Sequence, residues 1–260
     1  MKAKKSLGQN FLINEDIINK IVSFLDADEN DLIIEIGPGR GALTKKLSLL
    51  PSRIICIEVD TDMKPYLDKF TSDHLKVVYS DVLQINFPDL LKNYKFQNLY
   101  VIGNLPYYIT SPIVEKLTRA NLDVKKMIFM VQREVAERYT SLPGKSNYGY
   151  MTVFLQHYYH AQKVLDVPRQ FFAPVPKVDS AIIELEQKKV TPVSDEQKYF
   201  SFVKECFHLK RKNLKNNLQN YDLKAIDSVL KKYSLSLSSR AEDLSEDIFN
   251  ELYNTIYKAQ

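Results

Sequence analysis

Leu32-Ile33-Ile34-Glu35-Ile36-Gly37-Pro38-Gly39-Arg40-Gly41 decides how this chain is organised. A short, nearly continuous apolar run that stops at a glycine turn reads as a parallel strand buried on both faces. Three of the seven glycines in the chain fall within five residues here, at 37, 39 and 41. Glycine is that dense where backbone must bend sharply or lie bare against a ligand. Similar apolar runs follow at 53–57, 76–79, 99–102 and 127–131. Helix-like segments separate them near 42–50, 62–70, 86–93, 111–120 and 132–140. Upstream, Asn14 stands where an N-cap belongs, before Glu15 and Asp16, and Ile17, Ile18, Ile21, Val22 and Leu25 follow at helical spacing. Strand alternating with helix predicts an α/β fold, a parallel sheet with helices on both faces. Two later runs, 163–167 and 181–185, would add an antiparallel pair at its edge.

A polar, proline-containing link at 187–192 ends this pattern. The expected division is an α/β domain over 1–186 and a small all-helical domain over 187–260. In the second, Ser194 with Gln197 has the form of a capping box, and Ser245 precedes an amphipathic run of Ile248, Phe249, Leu252, Tyr253 and Ile256. Residues 187–260 hold 13 Lys/Arg against 10 Asp/Glu, whereas the first 186 hold 23 against 22. The basic excess therefore sits in the tail and at the N-terminus, where Lys2, Lys4 and Lys5 cluster. The net charge of +4 over 260 residues permits a nucleic-acid partner without requiring one.

Other classes are excluded. Apolar residues at 45% rule out global disorder. Two cysteines, Cys56 and Cys206, rule out a disulfide scaffold and a Cys-x-x-Cys zinc site. No apolar region follows the basic start, and no run approaches the ~18 apolar residues of a membrane span. A cytoplasmic protein is expected. His157 and His160 are three apart, but no third ligand lies near them in sequence; they read as helix-face or core residues, and no metal is expected.

The glycine turn falls at the carboxyl edge of the sheet, where such folds bind ligands. It is not the dinucleotide fingerprint, because Ala42 stands where the third glycine would be. Taken alone it is equally a turn that binds nothing. Two acids add to it. Glu58 ends the second strand, 21 residues after Gly37, where a carboxylate can hold both hydroxyls of a ribose. Asp81 ends the third and can accept from an adenine amine. Each acid by itself could be a solvated strand end. Gly37 and Gly39, Glu58 and Asp81 on three successive strand ends describe an adenosine pocket. With no second nucleotide site, S-adenosylmethionine is favoured over a nicotinamide dinucleotide.

Gly103-Asn104-Leu105-Pro106-Tyr107-Tyr108 follows the fourth strand. Pro106 fixes its own φ and keeps Leu105 out of the helical region, making a rigid extended step. The same residues could form an ordinary Asn-x-Pro turn over packed aromatics. Beside an adenosine pocket they suit a different task. An adenine amine is a poor nucleophile because its lone pair is delocalised into the ring. The Asn104 side-chain oxygen and the Leu105 carbonyl can accept its two N–H groups, and Tyr107 can stack on the base. A second aromatic segment, Phe171-Phe172-Ala173-Pro174-Val175-Pro176, could bring Phe172 to the other face of that base.

Ser6-Leu7-Gly8-Gln9-Asn10-Phe11-Leu12, Glu35-Ile36-Gly37-Pro38-Gly39, Gly103-Asn104-Leu105-Pro106-Tyr107 and the 172–180 segment occur in that order. With Tyr148-Gly149, the Arg211–Leu218 stretch and Arg240-Ala241-Glu242-Asp243-Leu244, they resemble the rRNA adenine N6-dimethyltransferases, closest to the bacterial small-subunit branch linked to kasugamycin sensitivity. The resemblance implies a Rossmann-like methyltransferase domain with a mostly parallel seven-stranded sheet. It implies transfer from S-adenosylmethionine, leaving S-adenosylhomocysteine, to two adjacent adenosines near the 3′ end of 16S rRNA within the small subunit. Each is dimethylated, and the enzyme takes part in subunit biogenesis as a monomer. Asn10, Leu12, Gly37, Glu58, Asp81 and Asn104 would contact the methyl donor. Asn104 through Tyr107, with Phe172, would present the base. Arg40 departs from the family's usual uncharged residue. Lys204, Lys210, Arg211, Lys212 and Lys215 read as a basic helical stretch; it could be a solvated face, and the resemblance moves it to rRNA contact. Rival readings are a 23S rRNA adenine methyltransferase of macrolide resistance, a DNA adenine methyltransferase, and a non-catalytic assembly factor on the same fold.

Overall fold

The structure is a computed structural model and describes Lys4, residues 9–120 and residues 122–258. Lys2, Lys5 and the Ser6-Leu7-Gly8 part of the first motif lie outside the described residues. Strands run in chain order β1 (Phe11–Leu12), β2 (Leu32–Ile36), β3 (Arg53–Glu58), β4 (Leu75–Tyr79), β5 (Leu99–Asn104), β6 (Val124–Gln132), β7 (Tyr159–Val167), β8 (Phe172–Ala173) and β9 (Ser180–Gln187). The helices are α1 (Glu15–Val22), α2 (Thr44–Leu47), α3 (Lys64–Leu67), α4 (Phe87–Leu91), α5 (Thr110–Arg119), α6 (Arg133–Tyr139), α7 (Tyr150–Tyr158), α8 (Glu196–Cys206), α9 (Leu214–Asn217), α10 (Leu223–Lys232) and α11 (Glu246–Lys258).

Two compact units form, Met1–Ala136 with Gln162–Gln187, and Glu137–Ala161 with Lys188–Gln260. The expected single cut after residue 186 differs from this grouping in residues 137–161 and at Gln187. The reason is aromatic packing: Phe154 of α7 lies 4.9 Å from Phe200 of α8, centroid to centroid. In the same unit Tyr199 and Tyr253 meet edge-on at 5.5 Å. His157 is fully buried and held by Glu246 at 2.7 Å, so it is a core residue, while His160 is exposed on β7. Burial opposes ionisation of Glu246, yet bonds from His157, Lys188 and Asn250 hold its carboxyl below the usual range.

In the first unit the seven-stranded sheet has the order β4-β3-β2-β5-β6-β9-β7. The pairs from β4 to β6 are parallel, and β9 runs antiparallel to β6. Strand order turns back between β2 and β5, which is where an open parallel sheet leaves a crevice at its carboxyl edge. Gly103 keeps that junction tight. A Cβ there would stand 2.5 Å from the Ile36 carbonyl oxygen, so a side chain would drive β2 and β5 apart. Asn14 caps α1 through Ile17 N at 2.9 Å, and Ile18 and Ile21 join Ile33, Ile54, Tyr100 and Ile128 in the core.

Two features were not expected from the sequence. The segment near 62–70 is three short pieces, with single 3₁₀ turns at Thr61–Met63 and Asp68–Phe70 around α3. β1 and β8 pair antiparallel, Phe11 with Ala173 and Leu12 with Phe172. This small ladder brings the N-terminal motif to the Phe-Phe-Ala-Pro segment.

Candidate active site

The site is built where strands β4, β3, β2 and β5 end side by side. Register places Ile36 level with Ile57 and Gly103, and Glu58 level with Tyr79. The chain then turns at each end. Gly37 and Gly39 adopt positive φ, +66° and +55°. A cavity opens over these turns, lined by Asn10, Leu12, Gly37, Gly39, Glu58, Asp81, Asn104, Leu105, Pro106 and Tyr107, with Ile57 and Val82 among its apolar walls.

Glu58 is buried, and its two oxygens accept from Gly39 N and Asp60 N, each at 2.8 Å. Burial raises its pKa, and the two backbone bonds oppose the rise. The carboxylate is thus fixed, with further lone pairs for a vicinal diol. Asp81 accepts from Leu83 N at 2.9 Å and caps the 3₁₀ turn Val82–Gln84. These residues fit the adenosine half of S-adenosylmethionine.

Asn104 Nδ2 donates to the Asn10 carbonyl at 3.0 Å. That bond sets the amide, because the other orientation would face oxygen to oxygen. Asn104 Oδ1 and the Leu105 carbonyl then have no donor among the described residues. Leu105 is held by its N–H to the Met130 carbonyl at 3.1 Å, and Pro106 O takes Ile109 N and Thr110 Oγ1. Two acceptors therefore stand on a rigid step at the cavity. Tyr107 is half-buried, and that burial raises its pKa. Tyr108 is 56% exposed at the mouth.

Phe172 departs from expectation. It is 1% exposed and packs in the core with Leu12, Ile18 and Val167, and it does not line the cavity. The β1–β8 ladder fixes it there, so the second aromatic wall for a base is not Phe172 in this arrangement. The basic stretch also differs. Lys210, Arg211 and Lys212 are exposed on a turn between α8 and α9, not on a helix. Asn217 holds that turn, accepting from Leu209 N at 2.9 Å and donating to the Cys206 carbonyl at 2.8 Å. Lys215 is exposed on α9, and Lys204 on α8 lies 4.8 Å over the Tyr150 ring. These residues belong to the helical unit. Helix α8 is capped by Asp195, which accepts from Lys198 N at 3.0 Å, rather than by Ser194.

Some site residues escaped the sequence reading. Glu35 is buried in β2, accepts from Thr44 Oγ1 at 2.7 Å and is pushed up to about 7 by burial. An acid inside an apolar strand was the available signal. Asp60 takes Lys4 Nζ and Gln9 Nε2, each at 2.7 Å, and so ties down the segment before Asn10. Burial opposes its ionisation, but Lys4 and Gln9 hold its pKa low. Lys4 is therefore engaged by the α/β unit itself. Arg40 lies 4.4 Å over the Phe11 ring, which explains how a charged residue is accommodated there.

A family model described as ribosomal RNA adenine dimethylase matches residues 1–258. Ribosomal RNA small subunit methyltransferase A of Mesoplasma florum is 40% identical over 98% of this chain and 98% of its own. The protein of the same name from Natranaerobius thermophilus is 34% identical, over 98% and 91%. Among solved structures, a dimethyladenosine transferase from Plasmodium falciparum has a TM-score of 0.78 at 27% identity, covering 93% of this chain and 95% of that one. The 23S rRNA methyltransferase ErmE has a TM-score of 0.74 at 24% identity, over 95% and 99%, and shows the fold alone.

Proposed function

The chain belongs to the ribosomal RNA adenine dimethylase family, and from that premise we propose that it methylates N6 of two adjacent adenosines near the 3′ end of 16S rRNA. It is an S-adenosylmethionine-dependent rRNA adenine N6-dimethyltransferase with a Rossmann-like fold. Each adenosine receives two methyl groups within the small ribosomal subunit, as part of subunit biogenesis, and S-adenosylhomocysteine is the product of each transfer. The observation that carries the reading is Asn104. Its nitrogen is committed to Asn10, so its oxygen faces the cavity step as an acceptor.

Asn10, Leu12, Gly37, Gly39, Glu58, Asp81 and Asn104 would hold the cofactor. When bound, S-adenosylmethionine supplies a methyl group on a positively charged sulfur whose leaving form is a neutral thioether. Asn104 Oδ1 and the Leu105 carbonyl would accept the two N–H groups of the target amine in the first transfer, and one of them the single N–H left in the second, turning the lone pair out of conjugation. Tyr107 would present its ring face to the base. Catalysis is then positioning and electrostatics. No strong base is required, because the alkylated nitrogen sheds its proton readily, and a neutral leaving group asks for no metal. The base must leave its stack to arrive. Lys210, Arg211, Lys212 and Lys215 would hold phosphates of the rRNA meanwhile. The reading includes a cytoplasmic monomer; among the described residues no helix is long and apolar enough to cross a membrane.

The 23S reading is disfavoured because the relatives at 34–40% identity carry the small-subunit name. The non-catalytic reading is disfavoured by the intact Asn104–Tyr107 step. Calorimetry with S-adenosylmethionine and S-adenosylhomocysteine tests the pocket. Both should bind once per chain, and Glu58→Ala should weaken both by about tenfold, as expected for losing a charge-assisted bond. No binding of either would overturn the proposal.

A further inference from the structure

Ser180 opens β9 with its side chain fully buried, opposite Gln132 of β6. A buried hydroxyl needs a partner. The partner is the Tyr107 hydroxyl, at 2.7 Å. The residues around both groups are anchored to the same two strands. Leu105 N bonds the Met130 carbonyl of β6 at 3.1 Å. Arg133 N bonds the Asp179 carbonyl at 3.0 Å, and Asp179 Oδ1 accepts from Arg169 N at 3.0 Å, closing the loop that carries Phe172. The Tyr107 ring is thus fixed at both ends, by its own Cβ and by Ser180 at the phenol oxygen. A ring held at two points cannot swing about χ1, whereas one held at Cβ alone can.

We propose that Ser180 is a positioning residue for the target base, acting through the Tyr107 hydroxyl to hold the stacking ring at one tilt. The proposal rests on the adenine-methylation reading. It gives the Asp179-Ser180 end of the aromatic segment a role: Asp179 closes the loop and Ser180 ties that loop's strand to the reaction step. Correct tilt matters because Asn104 and Leu105 can meet both amine hydrogens only if the base lies in their plane. A tilted ring lowers turnover rather than subunit affinity, which the exposed basic residues govern.

The test is steady-state methyl transfer to unmethylated small subunits by the full chain and its Ser180→Ala, Tyr107→Phe and doubly substituted forms. Each single change should lower kcat about fivefold to tenfold, the loss expected for one hydrogen bond, with KM for the subunit within twofold. Affinity for S-adenosylhomocysteine should stay within twofold of the parent. The double variant should be no slower than either single one, because one bond is lost only once. Full activity of Ser180→Ala, or a double variant as slow as the product of the two single losses, would overturn the proposal. A parent that transfers no methyl would defeat the functional reading instead. In that event three-bond couplings of labelled Tyr107 still decide: one χ1 rotamer in the parent and averaging in Ser180→Ala support the tether, and identical couplings refute it.

Discussion

The two ends of the Asn104 amide have different surroundings. Nδ2 fastens the N-terminal segment through Asn10, while Oδ1, in the proposed mechanism, would accept from the target amine. Asn104→Ala should lower methyl transfer at least about 100-fold, the scale of losing one preorganised polar contact at a reaction centre. Near-parental turnover by a folded Asn104→Ala protein would contradict its role. Glu35 makes a pH-dependent contribution of a different kind. Burial lifts its pKa from 4.5 to about 7, so the folded state favours its protonated form. The stabilisation is full below about pH 4.5 and is lost as pH rises through about 7. It amounts to about 3 kcal/mol. Urea unfolding at pH 5 and pH 8 should show the parent losing more stability than Glu35→Gln across that interval. Equal losses would show that Glu35 is ionised throughout. Glu35 could be suspected from sequence as an acid in an apolar run, but its partner Thr44 lies nine positions on and only the fold reveals it.

Elements explain why some of the site was legible and some was not. Strands β2 to β6 announce themselves by apolar runs, and their parallel pairing puts Gly37, Glu58, Asp81 and Asn104 at neighbouring ends. The β1–β8 ladder has two residues a side, too few for any periodicity to register. Aromatic residues near prolines suggested a wall for the base, yet that ladder turns Phe172 into the core. The two placements differ in what they tolerate. With a core role, Phe172→Leu should keep methyl transfer near the parental rate, with a modest loss of stability, whereas Phe172→Ala should cost about 3–5 kcal/mol. A stable Phe172→Leu protein that cannot transfer methyl would restore the wall. The basic turn after α8 shows the same limit. Charge spacing suggested a helix, but Asn217 reaches back to Cys206 and Leu209 and closes a turn. Asn217→Ala should speed hydrogen exchange at the Leu209 amide and lower stability by about 1–2 kcal/mol.

At the scale of the whole molecule, the proposed chemistry and the proposed RNA contact belong to different units. The cavity belongs to the α/β unit, and Lys210, Arg211, Lys212 and Lys215 belong to the helical one. Replacing Lys210, Arg211 and Lys212 together by Ala should weaken subunit binding and flatten its salt dependence by about 2 in log–log slope, while cofactor affinity stays unchanged. An unaltered salt slope would remove those residues from the interface. The most direct measurement is transfer of radiolabelled methyl from S-adenosylmethionine to purified unmethylated small subunits, with large subunits and duplex DNA alongside. The expected result is label in the small-subunit RNA alone, recovered as N6,N6-dimethyladenosine at two adjacent positions near the 3′ end. Label in large-subunit RNA or DNA, or none in the small subunit, would contradict the assignment.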